Sequence, residues 1–113
     1  PGTPLAGSPG ATLESALRMV ALTRIVTGNA HIPATSAMGA IDPNGRQKAL
    51  RCGANVLMPN VSPVEHRADY SLYPGKICVS EEPERCGACV DAMLESLGRV
   101  RAEGPGHSLK AAA

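Results

Sequence analysis

Three cysteines are the strongest chemical signal in the chain. Cys78, Cys86 and Cys89 have the spacing C-x₇-C-x₂-C. A C-x₂-C pair at the start of a helix puts two thiolates within reach of one metal, and the helix N-terminus favours their negative charge. The Ile77-Cys78-Val79 segment can return a third thiolate. Three thiolates suit an iron–sulfur cluster with one differently ligated iron, or zinc with a fourth ligand. The plainer alternative is a set of incidental reduced thiols or a redox pair. Cys52, just before Gly53 at the end of an amphipathic stretch, reads as a buried, inert thiol.

A second group of candidates ends two short apolar runs. Thr35 and Ser36 close the first, and Met58, Pro59 and Asn60 close the second. If those runs are barrel strands, their carboxyl ends form the mouth of the active site, and polar residues there read as ligand contacts. Ser, Thr and Asn equally often cap a following helix, and Met often fills a core gap. Alternation places Met58 and Asn60 on one face and leaves open which of Thr35 and Ser36 faces inward. His31, His66 and His107 share no metal spacing. Glu81, Glu82 and Glu84 read as a solvated first helical turn. No nucleophile–base set and no phosphate-cradling glycine loop are present, so no catalytic residue is expected in the chain.

The elements that must position these groups are modest. The chain has 113 residues, enough for one domain. Its net charge of +1 gives no field that favours nucleic acid or an anionic membrane. Leu, Ile and Val total 22, with no Phe or Trp and two Tyr, against 17 Ala, 12 Gly and 10 Pro. Large side chains carry most of the hydrophobic payload, so an independent core is hard to close. No apolar run approaches a membrane span. The start, Pro1-Gly2-Thr3-Pro4-Leu5-Ala6-Gly7, has neither an initiating Met nor the character of a signal peptide, and reads as an interior cut. Four cysteines without a secretory signal point to a reducing, cytoplasmic compartment.

Residues 1–11 read as a loop. Leu13, Leu17, Val20, Ala21 and Ile25 then recur at helical spacing up to Thr27-Gly28. The segment 31–36 is an ambiguous strand weakened by Pro33. Asp42-Pro43 predicts an N-cap and first turn for a helix ending at Cys52-Gly53. Asn55–Pro59 reads as a buried strand. Ser62-Pro63-Val64-Glu65 predicts a capped third helix, and Tyr73-Pro74-Gly75 a turn. Val90, Met93, Leu94, Leu97 and Val100 predict a last helix from about Glu84 to Arg101, stopped by Gly104. Two strands, each followed by a capped helix, follow the grammar of a parallel α/β sheet. Their starts near 31 and 55 match the ~25–30-residue unit of a (β/α)₈ TIM-type barrel. The expected fold is therefore α/β: the C-terminal portion of such a barrel over residues 1–103, with a tail at 104–113.

Three stretches carry a resemblance: Ile32-Pro33-Ala34-Thr35-Ser36-Ala37-Met38-Gly39, Arg51 to Asn60, and Tyr73-Pro74-Gly75-Lys76-Ile77-Cys78. Together they resemble the C-terminal part of the HydE-type [FeFe]-hydrogenase maturases, radical S-adenosylmethionine enzymes related to biotin synthase. Pro1 to Ala6 is similar to a loop after a central strand of the same barrels. The resemblance implies a (β/α)₈ parent that carries a radical-generating [4Fe–4S] cluster and S-adenosylmethionine on segments absent here, so the fragment alone should be inactive. It implies that Cys78, Cys86 and Cys89 match an accessory iron–sulfur cluster ([4Fe–4S] or [2Fe–2S]) that varies across the family. It also implies that Thr35, Ser36 and Met58 match a substrate and anion pocket, with Ser36 standing where Thr is commoner. The implied substrate is a small organometallic or amino-acid-derived molecule, and the implied partners are the other hydrogenase maturases. Methylornithine synthase- or biotin synthase-like enzymes are the alternatives within this chemistry. A stand-alone iron–sulfur or zinc module is the alternative outside it.

Overall fold

The computed structural model describes residues 2–80 and 82–107. Pro1, Glu81 and residues 108–113 lie outside it, and with them part of the acidic run and of the tail read from the sequence. Among the described residues there are four α-helices: α1 (Leu13–Thr27), α2 (Ser36–Ile41), α3 (Gly45–Arg51) and α4 (Pro83–Ser96). A 3₁₀ helix, Val64–Tyr70, lies between α3 and α4. No helix among the described residues is long and apolar enough to cross a membrane.

Helix α1 starts where the sequence predicts, on a reciprocal cap. Ser15 N–H donates to the Thr12 hydroxyl at 3.1 Å, and Thr12 N–H donates to Ser15 Oγ at 3.2 Å. Its inner face buries Val20 and packs Ala16 and Leu17 on the core. Ile25, which the apolar stripe places inward, is instead exposed, along with Met19, Leu22 and Val26.

The two expected strands meet in parallel but do not grow into a sheet. Among the described residues there is one parallel bridge, Pro33 to Val56, and no strand. Ala34 N–H donates to Val56 O at 2.9 Å, and Val56 N–H donates to Ile32 O at 3.2 Å. Pro33 has no N–H to extend the ladder. Ile32 N–H is taken at 2.8 Å by the Asn55 side-chain oxygen rather than by a neighbouring strand. The α/β expectation is thus corrected for this chain, whose regular structure is helical.

Helix α2 is unforeseen by the pattern, and it displaces the expected cap at Asp42. Asp42 ends α2, its N–H bonded to Met38 O, and its carboxylate accepts from Asn44 N–H at 2.7 Å and Lys48 Nζ at 2.8 Å. The Lys48 hydrogen bond, followed by the Asn44 amide, holds the Asp42 carboxyl below its ordinary value. The two helices then turn on Gly45, where a Cβ would stand 2.1 Å from Met38 O.

Two further boundaries differ from expectation. Ser62 does not cap a helix: its N–H goes to Asn60 Oδ1, and Pro63 opens a 3₁₀ turn instead of an α-helix. Helix α4 stops at Ser96 rather than near Arg101. Gly98 adopts φ 64°, and Gly98 N–H and Arg99 N–H close on Glu95 O and Leu94 O in a Schellman motif.

The core comprises Val20, Ile32, Ala34, Met38, Ala49, Leu50, Ala54 and Met93. Two guanidiniums tie its edges at the C-terminal end of α3, where carbonyls lack helical partners. Arg24 Nε donates to Gly53 O at 2.8 Å, and Arg99 Nη2 donates to Leu50 O at 3.0 Å.

Candidate functional site

The ends of the two extended runs converge on a cavity of about 190 Å³. Its lining includes Ser36, Arg46, Met58, Asn60, Lys76 and Cys78. Ser36 begins α2, and its hydroxyl shares a 2.9 Å hydrogen bond with Tyr73 Oη. The Tyr73-Pro74-Gly75 turn therefore does more than reverse the chain: it fixes the rotamer of a lining hydroxyl. Lys76 Nζ donates to Tyr70 O at 2.5 Å, which folds that side chain back over the 3₁₀ helix.

Asn60 is the junction of this region. Its Nδ2 donates to Cys78 O at 3.0 Å, its Oδ1 accepts from Ser62 N–H at 3.1 Å, and its backbone N–H donates to Cys86 Sγ at 3.2 Å. The buried Arg67 closes the same junction. Its Nε donates to Ser62 O at 2.7 Å, Nη1 to Cys78 O at 3.1 Å and Nη2 to Asn60 O at 3.2 Å. Cys78 has φ 59°, a left-handed conformation uncommon outside glycine, and both of these residues hold its carbonyl.

The thiols are differently placed. Cys86 is buried, Cys78 half-buried and Cys89 exposed. Among the described residues, no three or more His, Cys, Asp or Glu side chains come together as a metal-holding group. Among the described residues the three thiols are thus not gathered into one group. A larger groove of about 350 Å³ between α1 and α3 is chiefly apolar. Its charged residues are the Arg18–Glu14 pair and Lys48, which is held on Asp42.

Over 99 residues, 88% of this chain, the sequence is 54% identical to the curated "[FeFe] hydrogenase maturase subunit HydE" of Thermotoga maritima. This chain is a HydE-type sequence. It spans 28% of the length of that relative. No family model matches it.

Of the residues singled out in the HydE-type sequence, the structure brings Ser36, Met58 and Cys78 to one cavity. Thr35 is the N-cap of α2, with no side-chain cap bond, and is not among the lining residues. Cys86 joins the neighbouring junction through Asn60, whereas Cys89 stays on the exposed side of α4. Sequence reasoning missed Arg46, Arg67, Tyr73 and Lys76. None belongs to a spaced motif. The one available signal was Tyr73-Pro74-Gly75-Lys76, a turn that carries an aromatic hydroxyl and a cation on either side.

Proposed function

We propose that this chain is the C-terminal part of a barrel-built radical S-adenosylmethionine enzyme that helps assemble the diiron subcluster of [FeFe]-hydrogenase. The 54% identity to a hydrogenase maturase carries the reading. Two features of the chain support it. The runs ending at Ala34 and Val56 pair in parallel, each followed by a helix, which is the βα grammar of a barrel. Ser36 and Met58, the residues matched to the family's pocket, share one cavity.

The chain's four cysteines contain no C-x₃-C-x₂-C loop. On this reading, the radical cluster and S-adenosylmethionine are held by other segments of the parent and supply its one-electron chemistry. This chain contributes no catalytic residue and is inactive alone. Its residues form a wall of the substrate chamber. Ser36, oriented by Tyr73, offers a hydroxyl to a small organometallic or amino-acid-derived substrate, and Met58 supplies apolar, polarisable contact. The proposed partners are the other hydrogenase maturases, in the cytoplasm. Accessory-cluster ligation by Cys78, Cys86 and Cys89 is proposed on spacing and resemblance only, and nothing in this reading runs through it.

A chimera tests the proposal. In Thermotoga maritima HydE, the matched segment is replaced by this chain, and hydrogenase maturation is assayed with the remaining maturases. The chimera should support maturation, and Ser36→Ala in it should lower the rate by about tenfold, the worth of one hydrogen bond of ~1.4 kcal/mol. A folded chimera that matures no hydrogenase would refute the assignment.

A further inference from the structure

The corner between α2 and α3 presents a reactive pair. Asn44 is exposed, and Gly45 follows it. In such a pair the backbone nitrogen of the glycine can attack the side-chain amide carbon of the asparagine, because glycine has no Cβ to hinder the approach. The chain has four asparagines, and Asn44 alone precedes a glycine. Asn29, Asn55 and Asn60 precede Ala30, Val56 and Val61, whose Cβ atoms crowd the same nitrogen. Asn55 and Asn60 are also tied through their side-chain oxygens, to Ile32 N–H and Ser62 N–H. The Asn44 side chain caps no helix. Packing keeps the pair in place, since only glycine fits at 45: a Cβ there would stand 2.1 Å from Met38 O.

The fold also restrains the reaction. Asp42-Pro43-Asn44-Gly45 forms a type I turn, in which Gly45 N–H donates to Asp42 O at 2.7 Å and Asn44 has φ −98° and ψ 11°. The Asp42 carboxylate takes Asn44 N–H at 2.7 Å and holds the same turn from its side chain. At this ψ the Gly45 nitrogen points away from Asn44 Cβ, whereas closure of a five-membered ring needs the two eclipsed. The attacking nitrogen must also give up its proton, which the bond to Asp42 O retains.

We propose that Asn44 is a site of spontaneous deamidation gated by this turn. When the corner opens, Gly45 N bonds to Asn44 Cγ, the Cγ–Nδ2 bond breaks, and ammonia leaves with the proton of Gly45 N. The product is a succinimide, which water opens at either carbonyl. Opening at the side-chain carbonyl gives aspartate at position 44. Opening at the main-chain carbonyl gives isoaspartate, whose backbone runs through Cβ and Cγ and is one atom longer. Aspartate suits the start of α3 as well as asparagine does. Isoaspartate adds its atom where Gly45 is already buried against Met38 O, so α3 cannot re-dock, and Ala49 and Leu50 leave the core. The modification therefore records how often the corner opens.

The test incubates the whole chain at mildly alkaline pH, folded and in urea, and maps the products by peptide mass spectrometry. Isoaspartate is scored with an isoaspartate-specific methyltransferase. Hydroxyl should replace amino at Asn44 and at no other asparagine, and the folded chain should react at least about tenfold more slowly than the chain in urea. An unmodified Asn44 in urea overturns the site, and equal rates in the two conditions overturn the gate. Asp42→Ala, which releases Asn44 N–H, should quicken the reaction of the folded chain by about tenfold, the worth of a hydrogen bond to a charged group. An unchanged rate in that variant, folded by circular dichroism, overturns the part given to the turn; if the variant does not fold, the comparison with urea still decides. Asn44→Gln, whose longer side chain closes a larger ring, should lose the modification. The purified isoaspartate form should melt below the parent, and Asn44→Asp should melt with the parent. An isoaspartate form that melts with the parent, or an Asn44→Asp variant that melts as low as the isoaspartate form, overturns the consequence for α3.

Discussion

Arg67 is 1% exposed among the carbonyls of Asn60, Ser62 and Cys78, each within hydrogen-bonding distance of a different guanidinium nitrogen. It differs from Arg46, which is 8% exposed and meets no acceptor among the described residues. Arg67→Met should destabilise the chain by roughly 3 kcal/mol, because three half-buried carbonyls would lose a donor at ~1–3 kcal/mol each, offset by relaxation. Urea unfolding followed by circular dichroism measures that loss. Thiol labelling of Cys86 should quicken at the same time, since Asn60, which bonds its sulfur, is held by Arg67. At this scale the candidate site was partly legible. Residue type and position at the ends of two runs marked Ser36, Met58 and Asn60. Spacing marked the cysteines, but spacing reports neighbours along the chain and says nothing of the side a thiol faces, and Cys89 faces outward. Arg46 and Arg67 left no trace in the pattern, because an isolated arginine in a polar stretch looks like solvated surface until the fold buries it.

Gly45 sets how closely α2 and α3 approach. Any side chain there meets the backbone oxygen of Met38, a group that cannot step aside. Gly45→Ala should therefore cost about 1–3 kcal/mol, the usual penalty of overpacking. Gly87→Ala is its control: inside α4, with nothing within 4 Å of the added carbon, it should stabilise by about 1 kcal/mol through helix propensity. Thermal melts of the two variants should move in opposite directions. The contrast explains which elements could be read from sequence. Helix α1 has a cap, fifteen residues and a glycine stop, all local signals. Helix α2 has six residues, among them Gly39, and no capping bond, so its existence depends on packing against α3. Apolar spacing beyond Ser96 mimicked a continuing α4, and Leu97 and Val100 kept the pattern going past the turn that Gly98 makes. The two expected strands are reduced to extended runs that meet in the expected parallel direction at one bridge, because a ladder needs neighbours on both sides, and composition alone cannot supply them.

The whole molecule exposes 8002 Å², whereas a compact monomer of 11.6 kDa exposes roughly 5,800 Å². Its radius of gyration, 15.7 Å, likewise exceeds the ~13 Å of a closed domain this long. Part of the exposed surface is apolar and lies on α1, where Ile25 and Val26 are 78% and 82% exposed. A helix apolar on both faces is ordinarily buried on both. Sedimentation of the isolated chain should accordingly show self-association at micromolar concentrations. The double variant Ile25→Lys, Val26→Lys should shift it toward monomer without loss of helix signal; association unchanged by the variant would place the contact elsewhere. The arginine clasp at the end of α3 bears on the order of events during folding. Arg24 reaches Gly53 across 29 residues of sequence, and Arg99 reaches Leu50 across 49. On the ribosome α3 can find its first clasp as soon as residue 53 emerges, but the second must wait until residue 99 does. Closing so long a loop is slow, so the two halves of the clasp form in sequence rather than together. A nascent chain stopped before Arg99 would hold α3 by one hand only.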